Sequence, residues 1–278
     1  MHLIPRRGLA VLLMFLAGGA VVWAGTLAQF RTPLGDLDVE LFDQDKPVTT
    51  ANFIRYVRAG VWQDMFIHRW ESRFVIQGGG FFVTNRHTAG VKFAQVPVFG
   101  EIANEYSAGR ILSNTYGTLA MARVGGKTNS ATSQWFFNLT NNAFLDLVDG
   151  GFTVFGRVVR GTHVLERFNN PSTNNGIFVA DAGAPLNALP VLSRNPTFED
   201  LVYVDILLLN VQVQPAPNGG REISWNSVSN VLNVVEFTTP FPPDWQPLAS
   251  TNGSGGLLRV TDTEVTAPAR FYRVRVDY

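Results

Sequence analysis

Phe66-Ile67-His68-Arg69-Trp70-Glu71-Ser72-Arg73-Phe74-Val75-Ile76-Gln77-Gly78-Gly79-Gly80 is the stretch that decides the fold. Two short apolar and aromatic runs flank a polar break at Glu71-Ser72, and three glycines close the second run. Runs of this length between turn residues read as strands rather than helices. Gly78 to Gly80 fit a bulge or a close backbone approach, not a phosphate cradle.

The same pattern recurs outward from here. Thr26 to Phe42 reads as a hairpin: Leu37, Val39 and Leu41 alternate with Asp36, Asp38 and Glu40, and Thr32-Pro33-Leu34-Gly35 is its turn. Gly117–Ala122, Ser133–Phe137 and Gly151–Gly156 are further short strands. The clearest helix runs from Pro47 to Ala59, with Pro47 in its first turn and Gly60 just past its end. Val48, Phe53, Ile54 and Val57 form its docking face, and Asn52, Arg55 and Arg58 its wet side. Thr162–Phe168 is a second, shorter helix. Residues 81–110 read as irregular and 169–199 as a long loop, and Leu201–Val213 returns as a strand. Pro215-Ala216-Pro217-Asn218-Gly219-Gly220 is a linker or a turn. Beyond it lie the β-like runs at Ile223, Val234, Leu257 and Phe271.

This divides the 278 residues into a signal (1–24), a main domain (25–213) and a small all-β module (214–278). Arg6-Arg7, the apolar run Gly8–Trp23 and Val22-Trp23-Ala24 are the parts of a secretory signal cut after Ala24. The expected product is exported to the periplasm or beyond, with no stable membrane insertion once the signal is removed. An uncleaved N-terminal anchor is the competing reading. Lys+Arg and Asp+Glu both number 22, which argues against a protein held on nucleic acid by bulk charge. The absence of Cys excludes disulfides, thiolate metal sites and a cysteine nucleophile.

Common catalytic signatures are missing. There is no His-Glu-x-x-His helix and no Gly-x-Ser-x-Gly elbow. Gly125-Gly126-Lys127-Thr128 imitates the end of a phosphate loop, but Met121 stands where that loop needs its first glycine. No metal or cofactor is expected. What remains is a set of aromatics with Arg69, Gln77 and Gln134, suited to binding and polarising a substrate without covalent chemistry.

At these residues the chain resembles the cyclophilin family of peptidyl-prolyl cis-trans isomerases, in its bacterial exported form. The resemblance rests on several motifs in order. They are Phe66-x-His68-Arg69 with Phe74-x-x-Gln77-Gly78-Gly79, then Asn104-Glu105, then Ser113-Asn114-Thr115-x-Gly117-Thr118-Leu119-Ala120-Met121-Ala122-Arg123. Asn129–Gln134 with Phe136, Phe144-Leu145-Asp146 and Phe152–Val158 complete the set, and the resemblance covers about residues 26–213. The resemblance implies a mainly β fold: a closed eight-stranded barrel capped by two helices. It implies catalysis of Xaa–Pro rotation in proline-containing polypeptides by a protein taken here as a monomer. By position, Arg69 matches the catalytic arginine, Gln77 the glutamine that orients it, and Phe74, Met121, Phe136 and Leu145 the proline pocket. Ala122, Arg123 and Gln134 match the groove for the residues before proline, and Phe144 and Phe152 two rim positions.

Four departures stand out. Phe144 replaces a common Trp and Phe152 a common His, which bears on inhibitor binding more than on isomerisation. Arg123 replaces a common Asn. Glu71-Ser72-Arg73 replaces an apolar-Pro-Gly turn, and Arg73 is expected to point to solvent. A second hypothesis uses the same groove to bind proline-containing peptides as a scaffold or chaperone, without turnover. Residue-level alternatives also stand: Arg69 as a wall ion pair, Gln77 as a structural amide, and His68 as a buried structural histidine. The module 214–278 resembles small β modules ending in Phe-Tyr-Arg-Val on secreted bacterial proteins. It is expected to serve attachment or targeting, with Trp225 and Trp245 in its core.

Overall fold

The structure is a computed structural model that describes residues 26–87, 89–170, 176–209, 211–217, 219–227, 232–239, 244–254, 256–264 and 269–277. The expected signal, residues 1–24, lies outside the described residues.

The hairpin at the start forms as read, with β1 (Leu27–Thr32) and β2 (Gly35–Leu41) paired from Leu27–Glu40 to Thr32–Gly35. Leu37, Val39 and Leu41 are buried. Asp38 is buried as well, because Gln29 and Arg160 donate to its carboxylate at 2.9 and 2.6 Å. Helix α1 runs Pro47–Arg58. The remaining main-domain strands are β3 (Arg69–Glu71), β4 (Val75–Gly78), β5 (Phe81–Thr84), β6 (Lys92–Gln95), β7 (Thr118–Met121), β8 (Trp135–Asn138) and β9 (Val154–Arg160). Then come α2 (Thr162–Asn169), β10 (Phe178–Ala180), β11 (Leu189–Val191) and β12 (Asp205–Leu209).

Eight strands form one sheet in the order β12-β1-β2-β9-β7-β8-β4-β3, curled into a half-barrel. At its two edges Ile67 donates a backbone bond to Val202 and Val204 one to Met65, at 2.9 Å each. The inner face holds the main core. Phe30 meets Trp135 and Phe137 edge-on, with ring centroids 5.1 Å apart in both pairs. Such contacts add roughly 0.5–1.5 kcal/mol each beyond area burial. The glycines at the end of β4 make room for this core. A Cβ on Gly78 would lie 2.6 Å from the Trp135 ring, and Gly79 has φ +80°.

Several local expectations need correction. Helix α1 docks through Phe53, Ile54 and Val57 as expected, joined by Thr49, Asn52 and Tyr56, whereas Val48 is 47% exposed. Asn52 tolerates burial because its amide donates to the Thr132 carbonyl at 2.7 Å. The Tyr56 hydroxyl accepts from the Phe99 backbone N–H at 2.8 Å. Residues 81–110 are not wholly irregular, since β5 and β6 pair from Phe81–Gln95 to Thr84–Lys92. Within 169–199 the hairpin β10–β11 forms, over a satellite core that includes Phe66, Val83 and Tyr203. The single strand read over Leu201–Val213 is two, β12 and then β13 (Val211–Pro215).

β13 pairs with β14 (Arg221–Asn226), and Ala216 N–H bonds to the Gly220 carbonyl between them, as in a hairpin. The rest of the C-terminal region comprises β15 (Leu232–Thr238), β16 (Gln246–Asn252), β17 (Leu257–Asp262) and β18 (Phe271–Asp277). They form two three-stranded sheets, β13-β14-β17 and β16-β15-β18. Ile223, Trp225 and Val235 are buried together there, and Leu248, Tyr272 and Val274 pack against them. Among the described residues no helix is long and apolar enough to cross a membrane.

Candidate active site

The site follows from the two-residue period of three neighbouring strands. Arg69 on β3 lies opposite Gln77 on β4, and Gln77 lies opposite Phe136 on β8. Their in-between neighbours Trp70, Ile76, Trp135 and Phe137 fill the main core. Alternation therefore turns Arg69, Gln77 and Phe136 to the outer face of the half-barrel.

A second apolar cluster sits on that outer face. Val75, Ala120, Phe136, Leu145 and Val154 are buried in it, and Phe74, Ala122, Phe152, Leu112 and Phe42 pack against them. Phe136 meets Phe152 edge-on at 5.8 Å, and Phe74 stacks on Phe144 at 5.7 Å. The turn carrying Phe144 and Leu145 is held from below by amides. Asn114 donates to Asp146 at 2.8 Å, Asn138 to Asn114 at 3.1 Å, and Asn142 to Asn138 at 2.8 Å. The Phe74 carbonyl accepts from Leu139 N–H and from the Asn142 amide. The Asn114 motif thus serves as a support for the pocket.

Beside the cluster runs a chain of polar side chains. The Arg69 guanidinium donates to Gln77 Oε1 at 3.4 Å, and Gln77 Nε2 donates to Gln134 Oε1 at 2.6 Å. Gln134 is hydrogen-bonded in turn to His68. Burial, with Arg69 adding to it, pushes the His68 imidazole down to about 4 against the opposing effect of the Gln134 bond. His68 is thus neutral near pH 7 and buried, as its structural reading expected. The Arg69 side chain is 40% exposed, lies 5.9 Å from the Phe74 ring centre and has Glu71 at 3.6 Å. It is open to an incoming ligand at the edge of the apolar cluster.

Phe74, Ala122, Phe136, Leu145 and Phe152 come together in this cluster, with Phe144 stacked at its rim and Arg69, Gln77 and Gln134 alongside. Met121 stands apart. It belongs to the main core and lines a small cavity with Thr49, Ile102, Asn104 and Thr153. Arg123 also turns away from Arg69. Its guanidinium donates to the carbonyls of Val148 at 2.7 Å and Asp149 at 3.1 Å, and covers the Phe152 ring at 4.2 Å. Val75 is the pocket residue the sequence reading passed over. The available signal was alternation, since Val75 and Gln77 share one face of β4. Arg73 is exposed, as expected, with φ +57° in a turn closed by Phe74 N–H to the Glu71 carbonyl. No group of His, Asp or Glu suited to hold a metal ion occurs among the described residues.

An arginine and a glutamine on the outer face of the curled half-barrel, beside an apolar aromatic cluster, form a candidate site of the cyclophilin kind. The family model for cyclophilin type peptidyl-prolyl cis-trans isomerases matches residues 27–192, and the chain belongs to that family. Its enzyme class is peptidyl-prolyl cis-trans isomerase. A peptidyl-prolyl cis-trans isomerase of Acinetobacter baylyi is 36% identical over 170 residues, which is 60% of this chain and 85% of the relative. Peptidyl-prolyl cis-trans isomerase B of Escherichia coli is 38% identical over 152 residues, 53% of this chain and 86% of the relative. A crystal structure of a cyclophilin type isomerase from Cryptosporidium parvum aligns with a TM-score of 0.45 at 20% identity, covering 66% of this chain and 99% of that one.

Proposed function

We propose that this protein accelerates Xaa–Pro rotation in exported polypeptides and so assists their folding, with Arg69 as the donor that stabilises the twisted bond. The unaided reaction takes tens to hundreds of seconds because amide resonance resists twisting. Twisting localises a lone pair on the prolyl nitrogen. A guanidinium beside that nitrogen donates to the lone pair, and this bond is stronger in the twisted state than in either planar one. That difference is the condition for catalysis. Phe136, Leu145, Val75 and Phe74 would grip the prolyl ring while the preceding carbonyl turns. Gln77 steadies Arg69, whose planar fork has donors for Gln77 and substrate together.

The observation that carries this reading is the Arg69–Gln77 pair across β3 and β4, at the edge of the Phe136 cluster. Export is supported by Arg6-Arg7 and the apolar run after them. The edge-to-edge bonds at Ile67 and Val204 support a closed barrel. The strands from β13 onward are read as an attachment or targeting module, and the protein as a monomer.

The test is a protease-coupled isomerisation assay on a short peptide with one Xaa–Pro bond. The full chain is compared with its Arg69→Ala variant. The expected result is a fall in kcat/KM of about a hundredfold, roughly 2.7 kcal/mol of transition-state stabilisation. Peptide binding should persist. A folded parent with no turnover would overturn the enzyme mechanism and leave peptide binding as the function.

A further inference from the structure

The segment from Phe144 to Phe152 is rooted in the pocket at both ends. Phe144 stacks on Phe74 and Leu145 is buried with Phe136 at one end. Phe152 meets Phe136 at the other. Between them the chain rises to an apex at Leu147-Val148. Leu147 lies three residues beyond Phe144, so their Cα atoms are within about 11 Å. The exposed pair Leu147-Val148 therefore follows closely on the rim residue Phe144.

This apex is apolar and bare. Leu147 is 86% exposed, Phe144 56% and Val148 39%. Val124, also exposed, is next in the chain to Arg123, which holds the Val148 carbonyl. A single exposed Leu is ordinary, but a group of such side chains beside a binding site marks a contact surface.

The apex is also fixed in place. Arg123 donates to three of its carbonyls, those of Val148, Asp149 and Gly151. Thr128 donates to the Asp149 carbonyl at 3.0 Å, and Gly126 N–H to the Asp149 carboxylate at 2.9 Å. Asn104 donates to the Gly150 and Gly151 carbonyls at 3.2 and 2.9 Å. A surface ordered before binding loses less entropy on contact. Arg123, assigned to the groove by sequence, instead fastens this loop.

We propose that Leu147 and Val148, with Phe144, form an apolar shelf that takes a large aliphatic or aromatic side chain flanking the proline of the same substrate polypeptide. The occupant is set by continuity with the pocket: the two roots of the shelf, Phe144 through Phe74 and Phe152 through Phe136, are part of the cluster that would hold the prolyl ring. The shelf gives the enzyme a preference for apolar segments, which are the parts of a chain exposed before it folds. The inference rests on the isomerase reading above.

The test uses the full chain and a Leu147→Ser, Val148→Ser double variant. Both positions are surface ones, and circular dichroism checks that the fold is kept. Two peptide sets are compared, each with one Xaa–Pro bond, carrying Leu or Phe beside the Xaa–Pro pair or Gly in the same place. The parent is expected to favour the Leu and Phe peptides, and the variant to lose about tenfold of that ratio in kcat/KM, through KM rather than kcat. A parent without preference, or a variant with the parent's ratio, would overturn the shelf. A parent inert on both sets overturns the isomerase reading instead. Calorimetric binding of the same peptides then decides the shelf through the same ratio.

Discussion

A proton on His68 distinguishes the unfolded chain from the folded one. The unfolded imidazole titrates near 6.5 and the folded one near 4. Between these values the unfolded state binds a proton that the folded state refuses, so stability rises with pH across that window. Urea unfolding at pH 4 and pH 7 should differ by on the order of 3 kcal/mol from this group, with the full contribution present above pH 6.5. His68→Asn should flatten that slope. Gly80 is a second residue with a large effect. A Cβ there would lie 2.9 Å from Gln134 Cδ and 3.0 Å from His68 Cε1. Gly80→Ala should push Gln134 off Gln77 and loosen Arg69. The expected result is a ten- to hundredfold fall in kcat with little change in Tm. A structural effect alone would move Tm and leave kcat unchanged.

At the scale of the element, α1 is anchored at its start to a distant segment by two charged groups, one on each side. Glu105 accepts from the backbone N–H groups of Val48 and Thr49, where a negative charge suits the helix dipole. The buried Lys46 ammonium donates to the carbonyls of Glu105, Tyr106 and Ala108. Lys46→Met should leave those carbonyls unpaired and lower the unfolding free energy by about 3 kcal/mol, read by urea titration. Strands were legible where one face alone is apolar, as in Leu37, Val39 and Leu41. The face of α1 was legible at Phe53, Ile54 and Val57 but not at Asn52, which is buried by a partner that periodicity cannot supply. The hairpin of β5 and β6 was missed because Lys92 and Gln95 at its ends are polar and exposed. In the candidate site, the motifs named Arg69, Gln77 and aromatics that the fold brings side by side. They could not say that the flexible Arg123 side chain finds three carbonyls behind it, nor that Met121 falls on the inner side of β7.

At the scale of the whole molecule, the main core and the C-terminal cluster around Trp225 share no residue. Trp225 is buried and its indole N–H donates to Asn233 at 3.0 Å. Trp225→Ala should cost the C-terminal sheets about 3–5 kcal/mol while isomerase activity persists. Loss of activity in step with loss of those sheets would show that the barrel depends on them. The route between the two cores carries a mechanical consequence. The chain enters the eight-stranded sheet at Leu27 and leaves it at Leu209, and these residues face each other across the antiparallel pair β1–β12. Tension applied between the chain before Leu27 and the chain after Leu209 therefore acts across the strands rather than along them. It peels the hydrogen bonds one by one, like a zipper, instead of shearing them all together. The barrel should yield to low force when tethered by its two ends, opening first at the seam farthest from Arg69 in the order of the sheet.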